Sequence, residues 1–438
     1  MTLTRGDLAP DLRVAPPGPV SRALSARLAR AEAPGVNTLG AGDAPAIVWQ
    51  EALGANVEDV DGNRYVDFTA GFGVAAIGHR HPAVVAAVTR QAGLLLHGLG
   101  DVAAHPARVE LAERLGALAP VDDPRVFFAV SGADAVEIAL KTARLATARP
   151  GLVVFDPGYH GMTLGALAAT SRAAFRAPFA DQLRRDVVRL PFGCPLDRVA
   201  RALGGADSRG ARPGAVLVEP VVGREGVLLP PAAWLTGVAA AARRTGALLI
   251  ADEIFTGFGR TGALFAVDHE GVRPDLLCCG KALGGGLPLA AVIGRAAAMA
   301  AWRRPGEALH TATFLAHPLA CAAALATLDV LAREALVERA RDLGTRFLAA
   351  LAPAAETAGV VLRGRGALWA LELADAAAAA ALASRLAGRG LLVLAGGPEG
   401  RVVELAPPLT IAETPLAAGL ELVASELVRV AAPSGVLS

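Results

Sequence analysis

Five short polar stretches of this 438-residue chain each follow an apolar run, and their residue types are those that make and break bonds. Lys281 closes DLLCCGK ahead of three glycines, Asp252 closes ALLIAD, and Glu219 closes GAVLVE. Tyr159-His160 comes just after GLVVFD, and Ser131-Gly132-Ala133 just after RVFFAV. An amine held among apolar groups and glycines is desolvated, which lowers its pKa and makes it a nucleophile able to form a Schiff base with a carbonyl. A carboxylate ending a wholly apolar strand either caps the next turn or faces a cation, and a pyridinium nitrogen is such a cation. Backbone N–H groups of Gly132 and Ala133, at a helix start, offer a seat for phosphate. Tyr159 has a ring that can cover a flat ligand, and His160 suits positioning better than general-base duty.

Each type also has an ordinary occupation. A lone lysine snorkels out of a loop, Ser131 is a common N-cap, Tyr159 packs in a core, and Glu137 with Lys141 reads as a solvated i,i+4 pair. Recurrence at successive strand ends favours a site, because ligands of a parallel sheet gather at the carboxyl ends of its strands.

The elements that must position these residues alternate in kind. From about residue 80 to 320, short apolar runs (RVFFAV, GLVVFD, DVVRLPF, GAVLVE, ALLIAD, DLLCC, LAAVIGR) are separated by helical stretches, which implies an α/β unit with a mostly parallel sheet covered on both faces. Before it, a helix over Ser21–Ala33 and a strand meander with an Asp61-Gly62 hairpin turn are expected. After about 330, a long helix, further strands and the Ala-rich helix near 374–382 describe a smaller α+β lobe. The boundaries read as 1–75, contributing to the small domain, 76–325 for the large domain, and 326–438 for the rest of the small one.

Composition removes several classes. Net charge is +1, which argues against a nucleic-acid partner. Hydrophobic residues are 53%, yet Pro, Gly or charge breaks every apolar stretch before 18 residues, so no membrane span is expected. The N-terminus lacks the apolar core of a signal peptide. Cys194, Cys278, Cys279 and Cys321 lack metal-ligand spacing and suit a reduced, cytoplasmic compartment. No metal site is expected.

A phosphate seat, an aromatic cover, an acid and an amine on successive strands are the parts of a pyridoxal-phosphate enzyme. The chain resembles the class III (omega-type) aminotransferases of the fold-type I pyridoxal-phosphate enzymes. ADEIFTGFGRTGALFAVDHEGVRPDLLCCGKALGGGLPLAAVIGR matches that family's long signature through both Asp252 and Lys281. DVDGNRYVDFTAG with GHRHP, SGADAVEIALKTAR, YHGMTLGAL, EPVVGREG, HTATFLAHPLACAAA and LAPPLTI match in order, so the likeness spans roughly 40–430.

The resemblance implies that Lys281 carries the cofactor as a Schiff base and shuttles the proton, while Asp252 pairs with the pyridine nitrogen. Ile254 and Tyr159 would pack on opposite ring faces, Ser131, Gly132 and Ala133 would hold the phosphate, and His160 and Glu219 would complete the cofactor site. Thr313 would reach the phosphate in the neighbouring subunit, which implies a homodimer with shared active sites. Phe72, Arg224 and Glu404 would face the substrate.

Four positions depart from the family pattern. Ala133 replaces a common Ser or Thr, and Phe255 stands where many members carry a Gln that bonds the cofactor's ring oxygen. Arg224 stands at an acid's position and Glu404 at an arginine's, so the expectation is a transposed charge pair rather than two unrelated changes. The function implied is transamination between small-molecule amines and keto or aldehyde acceptors. An amino-acid epimerase or aminomutase on the same scaffold is the alternative. An ω-amino acid, a diamine and an amino sugar all stay open as donors.

Overall fold

The computed structural model describes residues 3–36, 46–205 and 212–431. They divide into two compact units: the described residues of Met1–His81, Leu343–Arg363 and Ala367–Ser438 form one, and Pro82–Asp342 with Gly364–Gly366 form the other.

The larger unit is built on a seven-stranded sheet. Its strands are β1 (Pro124–Ala129), β2 (Gly151–Asp156), β3 (Val187–Pro191), β4 (Pro213–Val218), β5 (Leu248–Asp252), β6 (Leu276–Cys279) and β7 (Ala290–Arg295). Across the sheet they run β1-β7-β6-β5-β4-β2-β3. The pairs from β6 to β3 are parallel, and β7 lies antiparallel to both β6 and β1. This is the mostly parallel α/β sheet that the apolar runs imply.

Strands β4, β5 and β6 are buried at every residue, and apart from Pro213, Gly214 and Asp252 their sequences are continuous Val, Leu, Ile, Ala and Cys runs without alternation. Each such aliphatic side chain contributes roughly 1.5–3 kcal/mol by leaving water. A carboxylate in that frame needs a partner, and Asp252, the last residue of β5, is 4% exposed. After β1 comes α1 (Gly132–Thr147), whose buried face carries Ala135, Ile138, Ala139 and Ala143 and packs into the same core as Leu152, Leu217, Ile250 and Cys278. Small alanines let that helix approach the sheet closely.

In the smaller unit, Asn56–Asp59 and Arg64–Asp67 form the expected hairpin, with Val57 opposite Tyr65 and Gly62 at φ 81° in the turn. Trp49–Leu53 adds antiparallel and Leu391–Leu392 parallel. A second antiparallel sheet joins Leu368–Glu372, Val402–Leu405 and Leu394–Gly396. The first helix starts and stops earlier than expected, running Pro19–Ala31. Asp61 explains the start: its carboxylate accepts from the N–H groups of Val20 and Ser21 at 2.7 and 2.8 Å, capping the helix from the hairpin turn. Among the described residues no helix is long and apolar enough to cross a membrane.

Candidate active site

The turn from β1 into α1 leaves two donors open. Ser131 is extended at φ −153°, and its Oγ accepts from the Asp134 N–H at 3.2 Å. Asp134 reaches back to the Val130 N–H at 3.0 Å, a reciprocal cap that fixes where the helix begins. Among the described residues, the N–H groups of Gly132 and Ala133 meet no acceptor, and they lie at the positive end of the helix dipole. Gly161, at φ 127°, brings the next loop onto them; a Cβ there would stand 2.6 Å from the Ala133 Cβ, so only glycine fits.

That loop, after β2, carries Tyr159 and His160. The Tyr159 N–H donates to Glu219 Oε1 at 2.8 Å, and the Gly223 N–H donates to Glu219 Oε2 at 3.0 Å. One buried carboxylate thus ties the loops after β2 and β4 together. His160 Nδ1 lies 2.7 Å from Asp252 Oδ2 across two side chains that are almost wholly buried. Burial pulls the imidazole down, but the Asp252 hydrogen bond and charge, helped by Glu219, win and raise its pKa above the ordinary histidine value. Burial foremost, with the Asp252 charge adding to it against the opposing pull of His160, pushes Glu219 up to about 7.

Lys281 follows β6 and is half-buried, with its backbone at φ 41°, a region that only glycine enters freely. Its Nζ stands 3.8 Å from the centroid of the Phe255 ring. Phe255 is therefore not a bare loss of the family's usual Gln: it is the surface on which the amine rests. Two of the three glycines that follow, Gly285 and Gly286, also have positive φ, and a Cβ on Gly285 would lie 2.5 Å from Thr327 Oγ1. Backbone shape therefore requires glycine at 285 and 286. Ile254 bridges the two ends of the cluster, its side chain standing 3.0 Å from a Cβ placed on Gly132 and 3.6 Å from one placed on Gly280.

The larger unit thus gathers Ser131, Gly132, Ala133, Tyr159, His160, Glu219, Asp252, Ile254 and Lys281 at neighbouring strand ends. Arg224 joins them, its guanidinium lying 4.4 Å from the Tyr159 ring centroid. Thr313 lies elsewhere in that unit, exposed, with its carbonyl 2.9 Å from His97 Nε2. Phe72 and Glu404 belong to the smaller unit. Phe72 is exposed at φ 60° in a run from Ala70 to Gly73 where every φ is positive. The Asp67–Thr69 and Asp67–His79 hydrogen bonds, at 2.6 and 2.8 Å, brace that turn. Glu404 is half-buried in its strand, opposite Ala370 and Leu394.

Glu137 behaves differently from its sequence reading, and Glu253 is a second buried acid that the sequence reading did not single out. Glu137 does not make a simple pair with Lys141. It accepts from Thr163 Oγ1 and the Gly165 N–H at 2.7 and 2.8 Å, capping the helix Leu164–Ala169, and Lys141 Nζ lies 3.0 Å from His310 Nδ1. Glu253, beside Asp252, is fully buried, bonded to the Thr256 hydroxyl and to the Val267 N–H. Burial raises its pKa from 4.5 to about 7. Its folded value exceeds its unfolded one, so the stability it contributes is complete below about 4.5 and is lost as pH rises through about 7. Glu253→Gln is neutral throughout and should gain stability relative to the wild type between pH 5 and 8, measured by urea midpoints. A constant difference across that range would mean that the carboxyl is already ionised at pH 5.

Sequence reasoning missed one ion pair and one count. Arg172 Nε sits 2.7 and 3.0 Å from the two oxygens of Glu225, which is buried beside Arg224. Lys141 and Lys281 are the two lysines of the chain, and Tyr65 and Tyr159 its two tyrosines. That scarcity was a readable signal for both site residues.

A parallel sheet with an anion seat, a buried acid and an amine at its strand ends defines a pyridoxal-phosphate transferase of fold type I, and relatives agree. The class-III aminotransferase family matches residues 39–427, and the chain belongs to it. It is 43% identical over 375 residues to the acetylornithine aminotransferase of Mycobacterium tuberculosis, covering 85% of this chain and 89% of that one. It is 38% identical over 442 residues to the 4-aminobutyrate aminotransferase of the same species, covering 94% and 96%. An amine transaminase from an uncultivated Pseudomonas species, solved in its PLP-bound form, superposes with a TM-score of 0.82 at 30% identity, over 91% of this chain and 99% of that one. The protein is a pyridoxal-phosphate-dependent aminotransferase acting on small-molecule amino and keto substrates, and nothing in these likenesses favours the isomerase alternative.

The residues present fit the cofactor. The open N–H groups of Gly132 and Ala133 suit its phosphate, Asp252 suits its ring nitrogen, Ile254 suits a ring face, and Lys281 suits its carbonyl.

Proposed function

We propose that the strand-end cluster is the transamination centre, and the buried His160–Asp252 hydrogen bond of 2.7 Å is the observation that carries this assignment. A carboxylate so deep in an apolar sheet is expensive unless it serves a cation; His160 engages one oxygen, and the other, which among the described residues accepts only from the Ile254 N–H at 3.2 Å, keeps a lone pair to do so. Bound there, pyridoxal phosphate supplies a carbonyl that takes up the amino group and a ring that accepts the electron pair left when the substrate loses a proton. Asp252 presents negative charge to the ring nitrogen, and His160 fixes which way that carboxylate faces. Gly132 and Ala133 hold the phosphate through their N–H groups, with Ser131 setting the helix start. Ile254 and Tyr159 would cover the ring, and Glu219 fixes the Tyr159 backbone. Lys281 Nζ is the amine that would hold the cofactor through its carbonyl, and it stands to carry the substrate's proton.

The relatives are named for acetylornithine and 4-aminobutyrate, both molecules that carry a carboxylate and a free primary amine. A donor with a terminal amine and a carboxylate is the class we assign, with Arg224, Glu404 and Phe72 sorting substrates. A cytoplasmic enzyme of biosynthesis fits four buried, free cysteines.

The active unit is a homodimer. Leu94, Leu96 and Leu99 are 76, 60 and 60% exposed, and Phe314, beside Thr313, is 61% exposed; so much bare apolar surface favours a partner. His97 links the two stretches through the Thr313 carbonyl and an edge-on contact with the Phe314 ring. With Thr313 serving the partner's phosphate, mixing Lys281→Ala with Thr313→Glu subunits should restore about a quarter of wild-type activity, since half the dimers then hold one intact site. No recovery despite demonstrated subunit exchange would remove Thr313 from the site.

A further inference from the structure

Four arginines line one pocket at the edge of the larger sheet. Val187 and Arg189 lie two residues apart on the edge strand β3, so their side chains share a face. With Arg176, Leu183, Arg184 and Arg185 they line a space of about 350 Å³. Every charged side chain of that lining is an arginine, and the remainder is alanine, leucine and valine.

Two of the four have settled partners. Arg189 Nη1 donates to Asp156 Oδ1 at 2.7 Å, and its Nη2 donates to the Ala168 carbonyl and, at 3.0 Å, to that of Thr170. Arg184 Nε donates to Asp186 Oδ1 at 2.7 Å, and its Nη2 to the Pro150 carbonyl. Arg176 Nη2 donates to the Ser171 carbonyl at 3.1 Å, while its buried Nε meets no acceptor among the described residues. Arg185 is exposed. Asp156 and Asp186 thus answer two of the four charges. The crowding is felt at Arg189: burial foremost, joined by the Arg176 charge and opposed by Asp156, lowers its pKa from the ordinary arginine value. Arginine stays charged at any working pH, so the pocket keeps an excess of positive charge. Like charges held together in a partly buried space repel, and an entering anion removes that cost.

Guanidinium forks match the oxygens of phosphate, and the aliphatic surface between them suits an apolar part of the same molecule. We propose that this pocket is a second anion site, for a small phosphate-bearing molecule, distinct from the seat at Gly132 and Ala133. The competing role is structural: arginines that only tie backbone carbonyls together.

Calorimetric titration with inorganic pyrophosphate at low salt separates the two roles in the holoenzyme, whose own phosphate seat is filled. Wild type should bind one equivalent per chain. Arg185→Gln should weaken binding roughly tenfold, as expected for loss of a charge-assisted pair, and Arg176→Gln at least as much. Arg201→Gln removes an equal charge from an exposed pair with Asp197, and it should leave the affinity unchanged. Arg176 also holds the Ser171 carbonyl, and Ser171 Oγ accepts from the Gly158 N–H at 3.1 Å, so Arg185→Gln is the variant that leaves the cofactor loop alone. An unaltered visible cofactor band checks this. Tighter binding of adenosine diphosphate than of pyrophosphate would assign an organic phosphate to the pocket, and equal or weaker binding a free one. No binding by wild type, or an undiminished affinity in the Arg176→Gln/Arg185→Gln double variant, would overturn the site and leave the structural role.

Discussion

Lys281→Ala is expected to abolish transamination and to leave a colourless protein after incubation with pyridoxal phosphate and dialysis. The substitution removes the amine that closes β6 and rests 3.8 Å from the Phe255 ring centroid. Covalent attachment and proton transfer both depend on that nitrogen. Proton transfer alone is worth about 10²–10⁴ in rate, so the combined loss should be on the order of 10⁴ or more. The fold should survive, because alanine tolerates the φ of 41° no worse than lysine does and the neighbours Ala282 and Leu283 carry the packing. Lys141→Ala is the matched control: that side chain is exposed on α1 beside His310, and its loss should keep both colour and rate. A coloured, active Lys281→Ala protein would end the assignment.

Asp252→Asn should lower the rate by roughly 10²–10³ while the far-ultraviolet circular dichroism stays that of the wild type. Asparagine keeps the shape and can still accept from His160 Nδ1, so the buried pair remains hydrogen-bonded. What disappears is the negative charge that favours a protonated ring nitrogen and, with it, electron withdrawal from the substrate. The same loss removes the foremost cause raising His160, whose pKa should fall in the variant, a shift that proton NMR of the imidazole can follow. A rate within severalfold of wild type would mean that Asp252 merely caps the turn at Ile254, whose N–H it accepts at 3.2 Å.

The strand framework was legible because each buried strand of the larger sheet is a short apolar run, and the polar residue ending it stands out against that background. Asp252 and Lys281 declare themselves this way. The hairpin turn at Asp61-Gly62 was equally plain, since turn chemistry is local. The second task of Asp61, capping a helix that begins at Pro19, was not legible, because a side-chain acceptor supplied from 40 residues away leaves no local pattern. Glu137, Glu253 and the Arg172–Glu225 pair were missed for the same reason: spacing predicts i,i+4 neighbours and says nothing of partners across a loop. At Phe255 the sequence registers only a missing amide, whereas in the structure a ring stands against the amine.

The chain's lysine scarcity makes the central claim unusually easy to test. Holoenzyme reduced with borohydride fixes the cofactor to whichever amine holds it, and with Lys141 and Lys281 the only two lysines, peptide mapping has two lysine outcomes. The account predicts the pyridoxyl mass on the peptide that contains Lys281 and an unmodified Lys141 peptide. Label on Lys141, or on neither lysine in a protein that retains its visible absorption band, would contradict it.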